Sequence, residues 1–168
     1  MKKTVRPKIY CRIYIIYAFT VSILLLLGDP VFASKSELLN IINRFRLENA
    51  RTPLQIEPKL THAAKQHAFS MLRDDFFNHV SPSGSTLRSR VNITGYKWRL
   101  LGENLAAGMS PPHEVVRSWI NSKSHRKNLL MKEFIHAGIF HLHAEDDSGK
   151  VVFKDYWVLV LASPVYED

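Results

Sequence analysis

The sequence predicts an α+β fold, and three observations lead to this class. Apolar residues recur at helical spacing in four segments before residue 122. The stretch from Phe134 to Ser163 is instead rich in β-branched and aromatic residues, and a polar EDDSG segment interrupts it. Helices therefore come first and strands last along the chain. This order favours an α+β domain over alternating βα units.

Two long helices are predicted first. Ser34 and Glu37 have the spacing of a capping box, so the first helix is expected to begin at Ser34 and to end near Asn49. Pro58 can open the second helix, because proline is well tolerated in the first turn. His67 lies on the apolar stripe of this second helix, and we expect it to be a core histidine with a hydrogen-bond partner rather than a metal ligand.

Two more helices follow. The third is predicted from Leu87 to Thr94, with Gly95 placed to end it. The fourth is predicted to start at Pro111-Pro112, and its buried face consists of Val115, Val116, Trp119 and Ile120.

The last part of the chain is predicted to be an antiparallel hairpin made of segments 134–144 and 150–163. His141 and His143 are two residues apart, so they share one face of the first strand. This spacing occurs in some metal sites, but no third ligand is evident nearby, and the sequence favours surface histidines.

The first 33 residues have the pattern of a secretory signal peptide. A basic end is followed by an uncharged run from Ile13 to Leu27 and by Val31-Phe32-Ala33, so cleavage is predicted after Ala33. Asp29-Pro30 interrupts the apolar run too early for a membrane helix of about 20 residues, although an uncleaved anchor is the alternative. The sequence thus predicts a leader, residues 1–33, and one domain, residues 34–168, outside the cytoplasm, either secreted or periplasmic.

Removal of the leader changes the charge and the cysteine count. The leader holds five of the 23 basic and one of the 15 acidic residues, which leaves a net charge of +4 in place of +8. No dense run of Lys and Arg remains, so nucleic acid is not an expected partner. Cys11, the single cysteine, also lies in the leader. The remaining domain therefore has no disulfide and no thiol chemistry.

Common hydrolase motifs are absent from the sequence. His113 to Arg117 has the spacing of a zinc-protease helix, but Arg117 stands where the second histidine must be. There is also no G-x-S-x-G segment.

Three polar residues are candidates for a cleft. His79 follows the second helix and His125 follows the fourth, both in polar surroundings typical of loops that carry function. Glu103 lies in the small and apolar LGENLAAG run, which is extended enough to be an inner strand. An unpaired carboxylate in such a run would be costly to bury, so Glu103 is expected to face a polar cleft.

Several segments together resemble one known family. They are NRFRLENARTPLQIEPKLTHAAKQHAFSM, HVSPSG, GYKWRLLGENLAAG, VVRSWINSKSHRKNLL and YWVLVLA. This set resembles the CAP superfamily, which includes cysteine-rich secretory proteins, antigen five and plant pathogenesis-related proteins. The resemblance extends from about Glu37 to Ala162 and is closest to short bacterial members without disulfides. It implies a three-layer α-β-α sandwich with a central antiparallel sheet.

The resemblance also implies a cleft that holds two histidines and two acids. His79 and His125 match the two histidines, and Glu103 matches the acid of the Gly-Glu-Asn step. Many eukaryotic members have a second acid three residues after the helix tryptophan, but this chain has Ser122 there. Asp74 or Asp75 could replace that acid.

The three candidates suit zinc or a similar divalent metal, because two imidazoles and one carboxylate leave a fourth position for water or a ligand. His79, His125 and Glu103 are thus predicted metal ligands, and a hydrogen-bonding role for Glu103 between strand and helix is the alternative. The expected function is a binding or effector module of the cell exterior. Its ligand could be a small molecule, lipid, peptide or glycan. A metal-dependent hydrolase of peptides or cell-wall material is the alternative function.

Overall fold

The computed structural model describes residues 30–165, with side chains from residue 35 onward. Within this part of the chain there are five helices and four strands. In chain order they are α1 (Pro30–Glu48), β1 (Gln55–Ile56), α2 (Pro58–Arg73), α3 (Leu87–Ile93), β2 (Trp98–Ala107), α4 (Pro112–Asn121), α5 (Lys123–Leu130), β3 (His136–His143) and β4 (Asp155–Pro164). None of the helices in residues 30–165 has the length and apolar composition needed to cross a membrane.

The strands form one sheet in the order β1-β3-β4-β2. β4 is antiparallel to both β2 and β3, which confirms the predicted hairpin. The short strand β1 pairs with β3 in parallel, so the sheet is mixed. β2 lies at the edge of the sheet, whereas an inner strand was predicted. Its central residues are still buried, because helices cover both faces.

Two apolar clusters lie on opposite faces of the sheet and confirm the three layers. α1, α4 and α5 supply the helical part of the first cluster, including Leu38, Trp119 and Leu129. α2 and α3 supply the helical part of the second cluster, including Leu60 and Val91. The predicted α+β class is therefore confirmed. The outer helices position the loop that follows α2, which carries His79, and α5, which carries His125.

Local signals explain where α2 and α3 start and where α3 ends. Glu57 caps α2 by accepting a hydrogen bond from the backbone N–H of Lys59, and Pro58 occupies the first turn. Thr86 and Ser89 form a capping box at the start of α3. Gly95 follows the end of α3 with a φ of 72°, which suits glycine.

One predicted helix boundary is wrong, and one helix was missed. α1 starts at Pro30, so Ser34 lies inside the helix and does not cap it. No helix was predicted after α4, but residues Lys123–Leu130 form α5. The predicted leader lies outside the described residues except for its last four, and it remains a prediction.

Candidate functional site

Glu103 and Asn104 leave β2 in opposite directions, because side chains alternate along a strand. Glu103 contacts residues of α2 and α3, on one face of the sheet. The side chain of Asn104 contacts α5, on the other face. The Gly-Glu-Asn step therefore connects both helical layers at the edge of the sheet.

The Glu103 side chain is only 2% exposed, and both of its oxygens are engaged. Oε1 lies 2.8 Å from Nδ1 of His79, and Oε2 accepts a hydrogen bond of 2.7 Å from Nη2 of Arg90. Burial alone would raise the pKa of Glu103. The His79 hydrogen bond and the Arg90 charge outweigh burial and lower this pKa, so the carboxylate is ionised.

The charge on Glu103 determines which nitrogen of His79 carries a proton. An ionised carboxylate only accepts hydrogen bonds, so Nδ1 of His79 is the donor. In the neutral ring, Nε2 then keeps its lone pair. Among the described residues Nε2 has no hydrogen-bond partner, and the His79 side chain is 53% exposed. His79 can therefore accept a proton or a hydrogen bond, or bind a metal, at Nε2.

Arg90 connects the buried carboxylate to the loop that carries His79. Its Nη1 donates hydrogen bonds of 3.2 Å to the carbonyl oxygens of His79 and Ser85. Nε of Arg90 is buried and has no partner among the described residues. Arg90 was not among the residues predicted for the site. The sequence pattern that could have identified it is the position of an arginine on the buried face of α3, three residues after Leu87 and next to Val91.

His67 is fully buried behind Glu103, which agrees with the core position predicted for it. Its Nε2 lies 2.9 Å from the carbonyl oxygen of Asn78 and 3.9 Å from Oε1 of Glu103. Burial lowers the pKa of His67 to about 4, although the Glu103 charge acts in the opposite direction. His67 is therefore neutral at physiological pH, with Nε2–H donating to Asn78.

His125 lies in the first turn of α5 and makes no hydrogen bond to His79 or Glu103 in the described structure. Its backbone carbonyl accepts a hydrogen bond of 3.1 Å from Asn104. Asn128, also on α5, donates to the carbonyl of Glu103 and to Oδ1 of Asn104. Burial lowers the pKa of His125, and a positive charge on His79 lowers it further, so the two imidazoles are within electrostatic range.

The position of the second acid has no carboxylate. Ser122 contacts Ser124 through their hydroxyls. Asp74 pairs with Arg73, and Asp75 accepts hydrogen bonds from the backbone N–H groups of Lys150 and Val151. Both aspartates therefore have partners away from Glu103, and neither replaces the missing acid.

The fit of a metal depends on the free lone pairs in the site. Residues 35–165 contain no group of three or more His, Cys, Asp or Glu side chains arranged around a metal. Both oxygens of Glu103 are engaged by His79 and Arg90. Of the three predicted ligands, His79 and His125 therefore remain to offer a lone pair to a metal, each from an imidazole nitrogen. In this geometry Glu103 orients His79, as carboxylates orient metal-binding histidines in many proteins.

His141 and His143 lie on a different part of the sheet. Both contact Oδ1 of Asp155, at 2.8 and 2.9 Å. His141 is nearly buried and stacks on Trp157 with a centroid distance of 3.9 Å, so its predicted surface position is wrong. The prediction failed because Asp155 becomes a neighbour only when β3 pairs with β4.

Comparison with protein families agrees with the resemblance described from the sequence. The model of the family described as "CAP: Cysteine-rich secretory protein family" matches residues 39–161. The "Uncharacterized protein YkwD" of Bacillus subtilis (strain 168) is 32% identical over 116 residues, which cover 69% of this chain and 45% of that protein. The chain thus spans less than half the length of the curated relatives it matches.

Two solved structures share the fold. An outer surface protein from Borrelia burgdorferi has a TM-score of 0.73 at 23% identity, covering 82% of this chain and 97% of that chain. An extracellular protein containing a SCP domain, from Bacillus anthracis str. Ames, has a TM-score of 0.68 at 24% identity. That match covers 78% of this chain and 40% of the other. At these identities the similarity concerns the fold alone.

Proposed function

The chain belongs to the CAP, or cysteine-rich secretory protein, family, and we propose that it is an exported binding module whose ligand contacts His79. The predicted signal peptide supports export. The two proteins of similar fold are described as an outer surface protein and an extracellular protein, which agrees with this location.

One observation carries the proposal. His79 is half-exposed, and its Nδ1 lies 2.8 Å from a buried, ionised carboxylate. This contact fixes the tautomer and the orientation of the ring, and it leaves Nε2 to accept from a ligand. A ligand with an O–H or N–H donor, or a divalent metal such as zinc shared with His125, matches this lone pair.

Binding is favoured over catalysis because the serine hydroxyl nearest to His79 in the chain is already engaged. The hydroxyl of Ser81, two residues after His79, is engaged by Ser83 and by the backbone N–H of Ser85. Glu103 would have to give up its hydrogen bond with His79 to act as a general base, because Oε1 is engaged by His79 and Oε2 by Arg90.

A metal-dependent hydrolase of peptides or cell-wall material is the second candidate. The contact between Glu103 and Nδ1 of His79 favours it, since such carboxylates raise the basicity of metal-binding histidines. A bound metal would supply an activated water. The two functions differ in their response to Glu103→Gln. A binding site would still bind its ligand, with a changed affinity, whereas catalysis would be lost.

Calorimetric titration of the purified protein with zinc at pH 7 tests the site. We expect one-to-one binding that is lost in His79→Ala and His125→Ala and persists with altered affinity in Glu103→Gln. His113→Ala is the matched control, because His113 is exposed on α4. Equal zinc binding by His79→Ala and His113→Ala would contradict the proposed site.

The same preparations then distinguish binding from hydrolysis. Zinc-loaded protein is incubated with casein and with purified peptidoglycan, and released products are measured. We expect no cleavage. Cleavage that Glu103→Gln abolishes would instead establish the hydrolase.

A further inference from the structure

A concave surface lies next to the His79 site. It is a groove of about 430 Å³ between α2, the loop 81–85 and α3. We propose that this groove binds an anionic oligosaccharide. The proposal goes beyond the binding function of His79, because the groove has its own lining and shares only Arg90 with that site.

One wall of the groove is the outer face of α2. Its residues recur at steps of three, one, three, one and three, so they form one continuous stripe: His62, Lys65, Gln66, Phe69, Ser70 and Arg73. Within residues 35–165, no hydrogen bond or ion pair engages the side chains of His62, Lys65 and Gln66. These three side chains can therefore bind a ligand without breaking a hydrogen bond or an ion pair within this part of the chain.

The opposite wall supplies hydroxyl groups. Ser81, Ser83 and Ser85 line it, and the loop is held in place by two contacts of 2.9 Å. One joins the hydroxyls of Ser81 and Ser83, and the other joins the Ser85 N–H to the Ser81 hydroxyl. Hydroxyl and amide side chains both donate and accept hydrogen bonds, which matches the hydroxyl groups of a sugar.

The charged groups of the lining favour an anion. Lys65 and Arg73 are cationic, and Asp74 is the only acidic residue in the groove lining. Asp74 is already paired with Arg73 at 2.7 Å. Lys65 therefore remains as a cation that a carboxylate or phosphate on the ligand can neutralise.

An exposed aromatic ring favours a sugar over a simple anion. Phe69 is 43% exposed, and its ring is held against Phe140 at a centroid distance of 5.8 Å. Lys65 Nζ lies 5.8 Å from the Phe69 ring centroid, so cation and aromatic face are adjacent. A charged sugar can stack its C–H face on Phe69 and place its acid near Lys65.

The same lining disfavours a lipid tail. Only Phe69 and Ile93 are large apolar residues in it. Sites for acyl chains are lined mainly by apolar side chains. Arg90 adds a polar group to the lining, and its buried Nε lacks a partner among residues 35–165.

Calorimetry on the purified full chain at pH 7 tests the groove, with hexagalacturonate as the anionic sugar probe. Maltohexaose is the neutral sugar of equal length, inorganic polyphosphate is the anion without sugar rings, and phosphatidylglycerol vesicles are the lipid probe. We expect hexagalacturonate to bind more tightly than the other three. Lys65→Ala and Phe69→Ala should each weaken it by about fivefold or more.

Lys127→Ala is the matched control, because Lys127 is an exposed lysine on α5, away from the groove lining. It should change the affinity for hexagalacturonate by less than about twofold. Absence of hexagalacturonate binding would overturn the proposal, and so would an equal loss in Lys127→Ala and Lys65→Ala. Tighter binding of vesicles, or of polyphosphate with no effect of Phe69→Ala, would also overturn it. Failure at the groove would leave the zinc test of His79 unaffected, because the probes differ.

Discussion

Arg90 and Glu103 form an ion pair of 2.7 Å in which both side chains are almost fully buried. The pair joins α3 to β2. Nη1 of Arg90 donates hydrogen bonds to the backbone carbonyls of His79 and Ser85. The position of the exposed His79 thus depends on a charge pair inside the protein.

Removal of Arg90 should therefore destabilise the fold. Arg90→Met leaves a buried carboxylate without its cation, and we expect a loss of about 3–5 kcal/mol in the free energy of unfolding. Urea denaturation at pH 7 measures this loss. The double variant Arg90→Met/Glu103→Leu should recover part of it, because no unpaired charge remains. If Arg90→Met loses less than about 1 kcal/mol in the free energy of unfolding, the pair does not contribute strongly to stability.

His67 should make stability depend on pH. Its folded pKa of about 4 lies below its ordinary value of 6.5, so the unfolded chain binds more protons between these values. The stabilisation is complete above pH 6.5 and is lost as pH falls towards 4. Between pH 7 and pH 5 we expect the His67 contribution to fall by about 2 kcal/mol.

Urea denaturation of His67→Gln at pH 7 and pH 5 isolates this contribution. Glutamine keeps a donor for the Asn78 carbonyl but does not titrate, so the variant should lose less stability on acidification than the wild type. His62→Gln is the control, an exposed histidine on the same helix. Equal acid sensitivity of wild type and His67→Gln would rule out His67 as the source.

Arg46 should be essential for the position of α5. It is fully buried on α1, and its guanidinium donates to the carbonyl oxygens of Thr52, Leu129, Met131 and Phe134. Arg46→Met would remove the donor of the carbonyls of Thr52, Leu129 and Phe134, and we expect a loss of at least about 3 kcal/mol in urea denaturation. Arg44→Met, on the exposed side of the same helix, should cost less than about 0.5 kcal/mol. Similar losses in both variants would contradict this role.

Gly138 should not tolerate a side chain. A Cβ at this position of β3 would lie 2.1 Å from the backbone carbon of Leu60, so α2 could not pack on the sheet as it does. We expect Gly138→Ala to abolish the cooperative thermal transition. Gly95→Ala is the control: its Cβ would meet no atom, and the positive φ should cost only about 1 kcal/mol. A Gly138→Ala protein with normal thermal unfolding would contradict the close approach.

Local sequence signals were sufficient for several elements. Pro58 opens α2, Gly95 follows α3, and the β-rich end forms the β3–β4 hairpin, since each signal acts on its own neighbourhood. α5 was missed because its eight residues are mostly polar, with Leu129 as its buried residue. β1 has only two residues and exists through its pairing with β3, which no local pattern indicates.

The candidate site, like the fold, was predicted only in part from the sequence. The residue types and their place in the CAP pattern select His79, Glu103 and His125 from the sequence, and the structure brings His79 and Glu103 into contact. The sequence could not identify Arg90 as the partner of Glu103, because the two residues come from different elements.

The sequence by itself determined the family, the α+β class and the residue types of the candidate site, because these depend on composition, periodicity and motif order. Only the tertiary structure decided that Glu103 is saturated by Arg90 and His79 and that β2 is an edge strand. It also decided that α2 and the serine loop face each other across a groove. The physical reason is that burial, ion pairing and strand order arise from contacts between residues far apart in the chain, which a local pattern does not encode.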